Sequence, residues 1–219
     1  MNNSEIFPHI EHTLLKATAT SEQIAVLCEE ALLYQTASIC IPASYVAFAH
    51  EKFPKLNICT VIGFPLGYST TAVKCFEARD AIQNGADEID MVINLGWVKD
   101  GRFHDIQSEI SDVKAACGEK ILKVIIETCY LTEQEKTELC KCVTNGGADF
   151  IKTSTGFGTG GANIDDIRLF KQHIGENVKI KAAGGVKTKA DLEMFLNEGC
   201  ERIGTSSAVK QLKEQDDVD

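Results

Sequence analysis

Apolar residues recur along this chain with two spacings that take turns from one end to the other. Short runs rich in Ile, Val and Leu read as strands near 9–14, 37–41, 57–63, 87–94, 121–127, 148–153, 178–183 and 201–204. Between them the spacing widens to that of an amphipathic helix, as in the single face formed by Ile24, Leu27, Cys28, Ala31 and Leu32. Thr20 with Gln23 and Thr132 with Glu135 fit reciprocal helix starts, in which a hydroxyl and a side-chain carbonyl or carboxylate satisfy two orphan N–H groups. Strands alternating with helices specify βα units around a parallel sheet, and eight of them at this length predict a (β/α)8 TIM barrel. No Pro/Ser-rich linker or composition break interrupts 1–219, so one domain is expected, with the acidic stretch from about 212 to 219 as a flexible tail.

Three junctions repeat one form: Asn84-Gly85-Ala86-Asp87, Gly146-Gly147-Ala148-Asp149 and Glu198-Gly199-Cys200-Glu201. Each is a glycine helix stop, a small residue and an acid, followed by a strand. The form fits an internal repeat, and equally the common grammar of helix-to-strand junctions.

Within the strands, period-two alternation separates an apolar face from a charged one. Leu122, Val124 and Ile126 oppose Lys123, Ile125 and Glu127; Ile89, Met91 and Ile93 oppose Glu88, Asp90, Val92 and Asn94; Val178, Ile180 and Ala182 oppose Lys179 and Lys181. Both faces of a parallel sheet are normally covered. The apolar faces are therefore expected to meet the helices and the charged faces to meet the barrel axis, where charges need partners.

The stretch Phe150 to Gly161 carries the strongest chemical signal. Lys152 lies among apolar neighbours in a strand, and the following Thr153, Ser154, Thr155 and glycines form a loop that lets backbone N–H groups approach a ligand. An ordinary lysine titrates near pH 10.4, so bringing it to about 7 takes roughly 4 to 5 kcal/mol of bias against its charged form. A second ammonium about 5 Å away supplies roughly 3 kcal/mol at an effective dielectric near 20, and desolvation adds to it. Lys181, on the adjoining strand, is the expected source. Two readings stay open at this stage. Lys152 and Lys181 are a nucleophile and its tuner for Schiff-base chemistry, or both are paired with Asp90 and Glu127 in a buried salt network.

A second group of residues favours a ligand. Gly184 and Gly185 end the seventh strand, and Gly204, Thr205, Ser206 and Ser207 end the eighth and open a terminal helix. Backbone donors, hydroxyls and a helix N-terminus at those two positions predict a phosphate site. Weaker candidates are Asp90, moving protons with a bound water or pairing with a lysine, and Cys40, lining the mouth or packing. His12 reads as catalytic or, in preference, as a satisfied polar residue near the barrel floor or entrance, His50, His104 and His173 as solvated helix positions, and Trp97 and Phe157 as walls of a pocket or, for Trp97, a packing residue.

Composition narrows the rest. The net charge of −10 disfavours non-specific binding to nucleic acid or an anionic membrane, so positive charge for an anionic substrate must be local. The nine scattered cysteines include no CxxC and no zinc-like spacing to a histidine, which predicts reduced thiols and no metal site. With no long apolar run and no basic, apolar leader at the start, a cytoplasmic protein is expected.

In order along nearly the whole chain stand IEHTLLK, SICIP, TVIGFPLG, EIDMVINLG, KVIIET, FIKTSTGF, KAAGGV and RIGTSSA. Together they resemble the 2-deoxyribose-5-phosphate aldolases of the shorter bacterial type. The resemblance implies a class I aldolase without metal or organic cofactor, which cleaves 2-deoxy-D-ribose 5-phosphate to acetaldehyde and D-glyceraldehyde 3-phosphate in deoxynucleoside catabolism. It implies Lys152 as the Schiff-base lysine, Lys181 as its perturbing neighbour and Asp90 as an acid/base acting through water, with Gly184, Gly185, Ser206 and Ser207 on the phosphate. Three departures stand out. Glu11 replaces the aspartate of the usual IDHTLL, Phe157 replaces a lysine that some members carry after TSTG, and the chain ends in acids where some members end in tyrosine. Other readings are a transaldolase-like or keto-acid aldolase and, from a different class, a sugar-phosphate sensor without turnover. The pattern leaves room for a homodimer without specifying it.

Overall fold

Eight strands, Ile10–Thr13 (β1), Ser38–Ile41 (β2), Ile58–Ile62 (β3), Glu88–Val92 (β4), Ile121–Ile125 (β5), Phe150–Lys152 (β6), Lys179–Ala183 (β7) and Arg202–Thr205 (β8), pair in parallel, each with the next and β8 with β1. The result is a closed (β/α)8 barrel, seen in a computed structural model that describes residues 1–216. The outer layer is built from α1 (Asn3–Ile6), α2 (Ser21–Tyr34), α3 (Val46–Lys52), α4 (Thr71–Gln83), α5 (Leu95–Lys99), α6 (Phe103–Cys117), α7 (Glu133–Asn145), α8 (Ile164–His173), α9 (Lys189–Glu198) and α10 (Ala208–Asp216).

Local chemistry accounts for the helix boundaries. Thr20 and Thr132 accept from the N–H groups of Gln23 and Glu135, and both boxes close reciprocally as expected. The glycines of the three repeated junctions, Gly85, Gly147 and Gly199, all have positive φ (107°, 77° and 107°), a conformation that costs other residues steric strain. Each lets the chain leave a helix and drop directly into the next strand.

The strands divide as their alternation predicts. Ile89, Met91, Leu122, Val124, Ile151, Ile180 and Ile203 are buried against the helices. The opposite face turns to the barrel axis and aligns, across neighbouring strands, Asp90 with Lys123, Lys152 with Lys181, Lys181 with Arg202 and Glu11 with Gly204. A parallel barrel staggers its strands, so this register decides which inward charges meet.

Some expected strands are shorter. Asn94 leaves β4 to cap α5 by accepting from the Trp97 N–H at 3.3 Å, and β5 stops before Glu127, whose φ of 53° turns the chain out of the sheet. The stretch from 212 expected as a tail continues as α10 to Asp216, with Leu212 buried, while residues 217–219 of that expectation lie outside the described residues.

Candidate active site

Asp90 lies on the inward face of β4 with no exposure, and three ammonium groups converge on it. Lys123 donates to Oδ1 at 2.9 Å, while Lys152 and Lys181 donate to Oδ2 at 2.6 and 2.5 Å. Two nitrogens that share one oxygen at those distances are no more than about 5 Å apart. The juxtaposition of Lys152 and Lys181 expected from adjoining strands is therefore present, with Asp90 between them.

Below this level the charges continue. Glu11 reaches from β1 to accept from Lys181 and lies 3.2 Å from Lys123 and 3.5 Å from Arg202. Glu88 sits 2.6 Å from Lys123 and 3.0 Å from Arg202, and takes a further bond from Asn57 at 2.6 Å. Breaking one partner out of such a buried set leaves an uncompensated charge, so the network holds its members in place.

The electrostatics follow from these contacts. Burial alone would raise the Asp90 carboxyl, but Lys123, Lys152 and Lys181 outweigh it and hold Asp90 well below the usual carboxylate range. Burial is likewise the largest influence on Glu11 and is overcome by Lys123 and Lys181, which bring it down to about 2. Burial pushes Lys181 down, yet Asp90 and Glu11 together raise it above an ordinary lysine; Lys123 is raised in the same way by Asp90, Cys59, Glu11 and Glu88. Lys181 and Lys123 are thus fixed cations. They are also sealed, each with 0% exposure, whereas Lys152 retains 4% at the open end of its strand.

Sequence reasoning placed Lys123 on the charged face of β5 but did not bring it to Asp90, and it left out Arg202. Its own alternation was the only signal for Lys123, since the stagger that sets it beside Asp90 is a property of the closed barrel. Glu127 is a correction to the expected salt network. At 2% exposure it pairs with no cation among the described residues; its carboxylate accepts from the Thr155 N–H at 3.1 Å and from the Thr155 hydroxyl. The left-handed backbone at Glu127 swings its side chain off the inward face and onto the loop after β6.

The remaining candidates separate by position. Gly184 and Gly185 have φ of 82° and 78°, and Gly161 packs so closely on Gly184 that a Cβ on Gly161 would stand 2.3 Å from its carbonyl oxygen. Ser206 is exposed and Ser207 half-buried, at the start of α10. The Ser207 N–H donates to Thr205 Oγ1 at 3.2 Å, and the Thr205 hydroxyl donates to the Val186 carbonyl at 3.0 Å, tying the two loops together. Gly204 belongs to β8, where a Cβ would come within 3.2 Å of Lys181 Cε; its lack of a side chain makes room for the lysine stem.

Thr155 is engaged by Glu127, as described. Cys40 is fully buried on β2, paired in register with Cys59, and so lies beneath the mouth. Donor atoms of Glu11, Cys40, Cys59 and Asp90 lie within 4.8 Å of one another. Lys123 already bonds Cys59 Sγ at 3.2 Å as well as Asp90, so ammonium groups neutralise this cluster in the way a metal would. His12 points outward and pairs through Nε2 with Glu30 at 2.9 Å. Trp97 carries the Arg102 guanidinium over its ring at 4.6 Å, a packing role.

Between the ends of β1, β2 and β3 opens a cavity of about 330 Å³, lined by Leu15, Lys16, Pro42, Tyr45, Val61 and Phe64 among others. Val61 is the register partner of Asp90, so the cavity adjoins the lysine cluster. A closed parallel barrel with clustered charges at the C-terminal end of its strands is the arrangement of a barrel enzyme. Comparison with known proteins agrees: the DeoC/LacD family aldolase model matches residues 9–208, and the chain belongs to that family.

Among curated relatives, the deoxyribose-phosphate aldolase of Clostridium botulinum (strain Alaska E43 / Type E3) is 61% identical over 214 residues, 97% of each chain. That of Clostridioides difficile (strain 630) is 58% identical over 215 residues, 98% of each. Among solved structures, the tetrameric deoxyribose phosphate aldolase of Aeropyrum pernix superposes with a TM-score of 0.87 at 28% identity, covering 100% of this chain and 94% of that one.

Proposed function

We propose that the protein is a deoxyribose-phosphate aldolase, reversibly cleaving 2-deoxy-D-ribose 5-phosphate to acetaldehyde and D-glyceraldehyde 3-phosphate through a Schiff base on Lys152. The observation that carries this reading is the difference among three lysines on one carboxylate. Only Lys152 has exposure, while Lys123 and Lys181 are sealed and held charged by their neighbours. A reacting amine needs access to a carbonyl carbon, and Lys152 alone offers it.

The chemistry then runs through this chain's own groups. Lys152 Nζ adds to C1 of the sugar aldehyde, and loss of water leaves an iminium. The iminium draws electrons from the C2–C3 bond as the C3 hydroxyl gives up its proton, which releases glyceraldehyde 3-phosphate and leaves an enamine. Protonation at C2 and hydrolysis then free acetaldehyde and restore the amine. Lys181, which shares an Asp90 oxygen with Lys152, is the second ammonium beside the reacting amine. Asp90 remains ionised and is a weak base, so it serves chiefly as a fixed anion beside the iminium, while a water it orients carries the protons.

Gly184, Gly185, Ser206 and Ser207 hold the phosphate, using backbone N–H groups freed by glycine and the start of α10. The substrate thus spans from β7 and β8 to Lys152. A cytoplasmic, single-domain protein is consistent with nine free cysteines, and no described helix is long and apolar enough to cross a membrane. Exposed Val73 and Phe76, one helical turn apart on α4, with Tyr68 before them, favour a homodimer. A coupled assay of acetaldehyde release from 2-deoxyribose 5-phosphate tests the activity: turnover by wild type and none by Lys152→Leu is expected, and equal turnover by both would defeat the assignment of Lys152.

A further inference from the structure

The loop after β6 does more than follow Lys152. Its Thr155 is gripped by the buried Glu127 carboxylate through both N–H and hydroxyl, and Thr155 Oγ1 in turn accepts from the Phe157 N–H at 3.0 Å. The backbone of Phe157 is therefore anchored, although 56% of the residue is exposed. Its ring meets Phe64 edge to face, with centroids 5.3 Å apart and planes at 88°. Such an arrangement places the positive edge of one ring on the negative face of the other.

Phe64 is anchored from its own side. The Gly63 N–H donates to Glu77 at 2.9 Å and the Gly67 N–H to the Gly63 carbonyl at 2.7 Å. Phe64 stands two residues beyond β3 and Phe157 five beyond β6. The ring contact therefore joins the loop after β3 to the loop after β6. Phe64 also walls the cavity that Val61 places beside Asp90. The phosphate residues lie elsewhere, after β7 and β8.

We propose that the Phe64–Phe157 pair sets the size of the donor aldehyde that Lys152 accepts. The proposal rests on the aldol reading above. With the carbonyl carbon on Lys152, the third carbon of a longer donor is borne on C2, the carbon that attacks the acceptor, so it projects beside the forming bond, and the cavity walled by Val61 and Phe64 next to Asp90 is the space that receives it. Both rings stand on backbone that is hydrogen-bonded in place, and each packs on the other. The phosphate residues follow β7 and β8, so recognition of the acceptor's phosphate is independent of the pair.

The test compares kcat/KM for propanal and acetaldehyde as donors, with glyceraldehyde 3-phosphate as acceptor, in wild type, Phe157→Ala, Phe64→Ala and Phe157→Tyr. One methylene in an apolar pocket is worth about tenfold or more in discrimination. Both alanine variants are expected to raise the propanal-to-acetaldehyde ratio by about tenfold, while Phe157→Tyr, which keeps the ring, keeps the wild-type ratio. The preference between phosphorylated and unphosphorylated glyceraldehyde stays unchanged in all four, whereas a general loosening of the site would move both preferences. A donor ratio within about twofold of wild type in both alanine variants overturns the proposal. Wild type that shows no acetaldehyde chemistry overturns the aldol reading itself, and the inference with it.

Discussion

Lys152 and Lys181 donate to the same oxygen of Asp90, at 2.6 and 2.5 Å. The shared oxygen sets the amine proposed to react beside a second ammonium, and the surroundings make the two lysines unequal. Lys181 has a second carboxylate, Glu11, behind it, whereas Lys152 has the barrel mouth in front of it.

Lys152 is the member of the set that stability can spare. In Lys152→Met, Asp90 keeps Lys123 and Lys181, so the expected change in urea-unfolding free energy is within about 1 kcal/mol, with turnover lower by at least about a thousandfold. A loss of stability as large as that of a Lys181 variant would show that Lys152 is a structural ion rather than a nucleophile.

Lys181→Leu is expected to fail on both counts. It strips a partner from Asp90 and Glu11 together, and removing one member of a buried ion pair costs about 3 to 5 kcal/mol. Activity falls as well, because the fixed cation beside Lys152 is gone. Chemical denaturation and the coupled assay, run on the same preparation, read the two effects.

Gly204→Ala tests the packing beneath that lysine. A Cβ there stands 3.2 Å from Lys181 Cε and 3.3 Å from the Ala183 Cβ, so one of them must shift. Overpacking of this kind costs about 1 to 3 kcal/mol. The expected signature is a lower kcat with KM for the sugar phosphate little altered, since the disturbance reaches the amine pair and not the phosphate loops. A selective rise in KM would move Gly204 back to the phosphate.

The pH dependence of stability has a histidine component. Burial lowers the pKa of His12 despite its bond to Glu30, which Lys213 also holds at 3.0 Å. A group depressed on folding contributes stability that is complete above its unfolded pKa, about 6.5 for histidine, and lost as pH falls through the folded value. Unfolding free energy is therefore expected to decline as pH drops below about 6.5, by no more than about 1.4 kcal/mol per unit. His12→Gln is expected to flatten that slope; an unchanged slope would assign the acid sensitivity elsewhere.

The fold was legible because each strand carries an apolar face for the helices and a charged face for the axis, as in Leu122 against Lys123. Lys181 and Asp90 were legible because each stands on a charged strand face, and Lys152 because it interrupts an apolar strand just before a glycine-rich loop. What alternation cannot supply is the stagger between strands, so Lys123 and Arg202 stayed outside the expected cluster although their strands were recognised. Glu127 was misassigned because a single left-handed residue after β5 redirects its side chain, and no neighbour in sequence signals that turn. The aromatic pair depends on two loops from distant parts of the chain meeting over the mouth. Gly204 read as a ligand-binding glycine, and sequence alone gave no sign that a Cβ there would also crowd the Lys181 stem.

The most direct test of the central claim is chemical. Borohydride added to the protein with acetaldehyde reduces an iminium to a stable secondary amine, adding an ethyl group to the lysine that carried it. A single ethyl adduct is expected, mapped by peptide mass spectrometry to Lys152, with Lys181 and Lys123 unmodified. An unmodified Lys152 in protein that turns over substrate, or an adduct on Lys181, would contradict that claim.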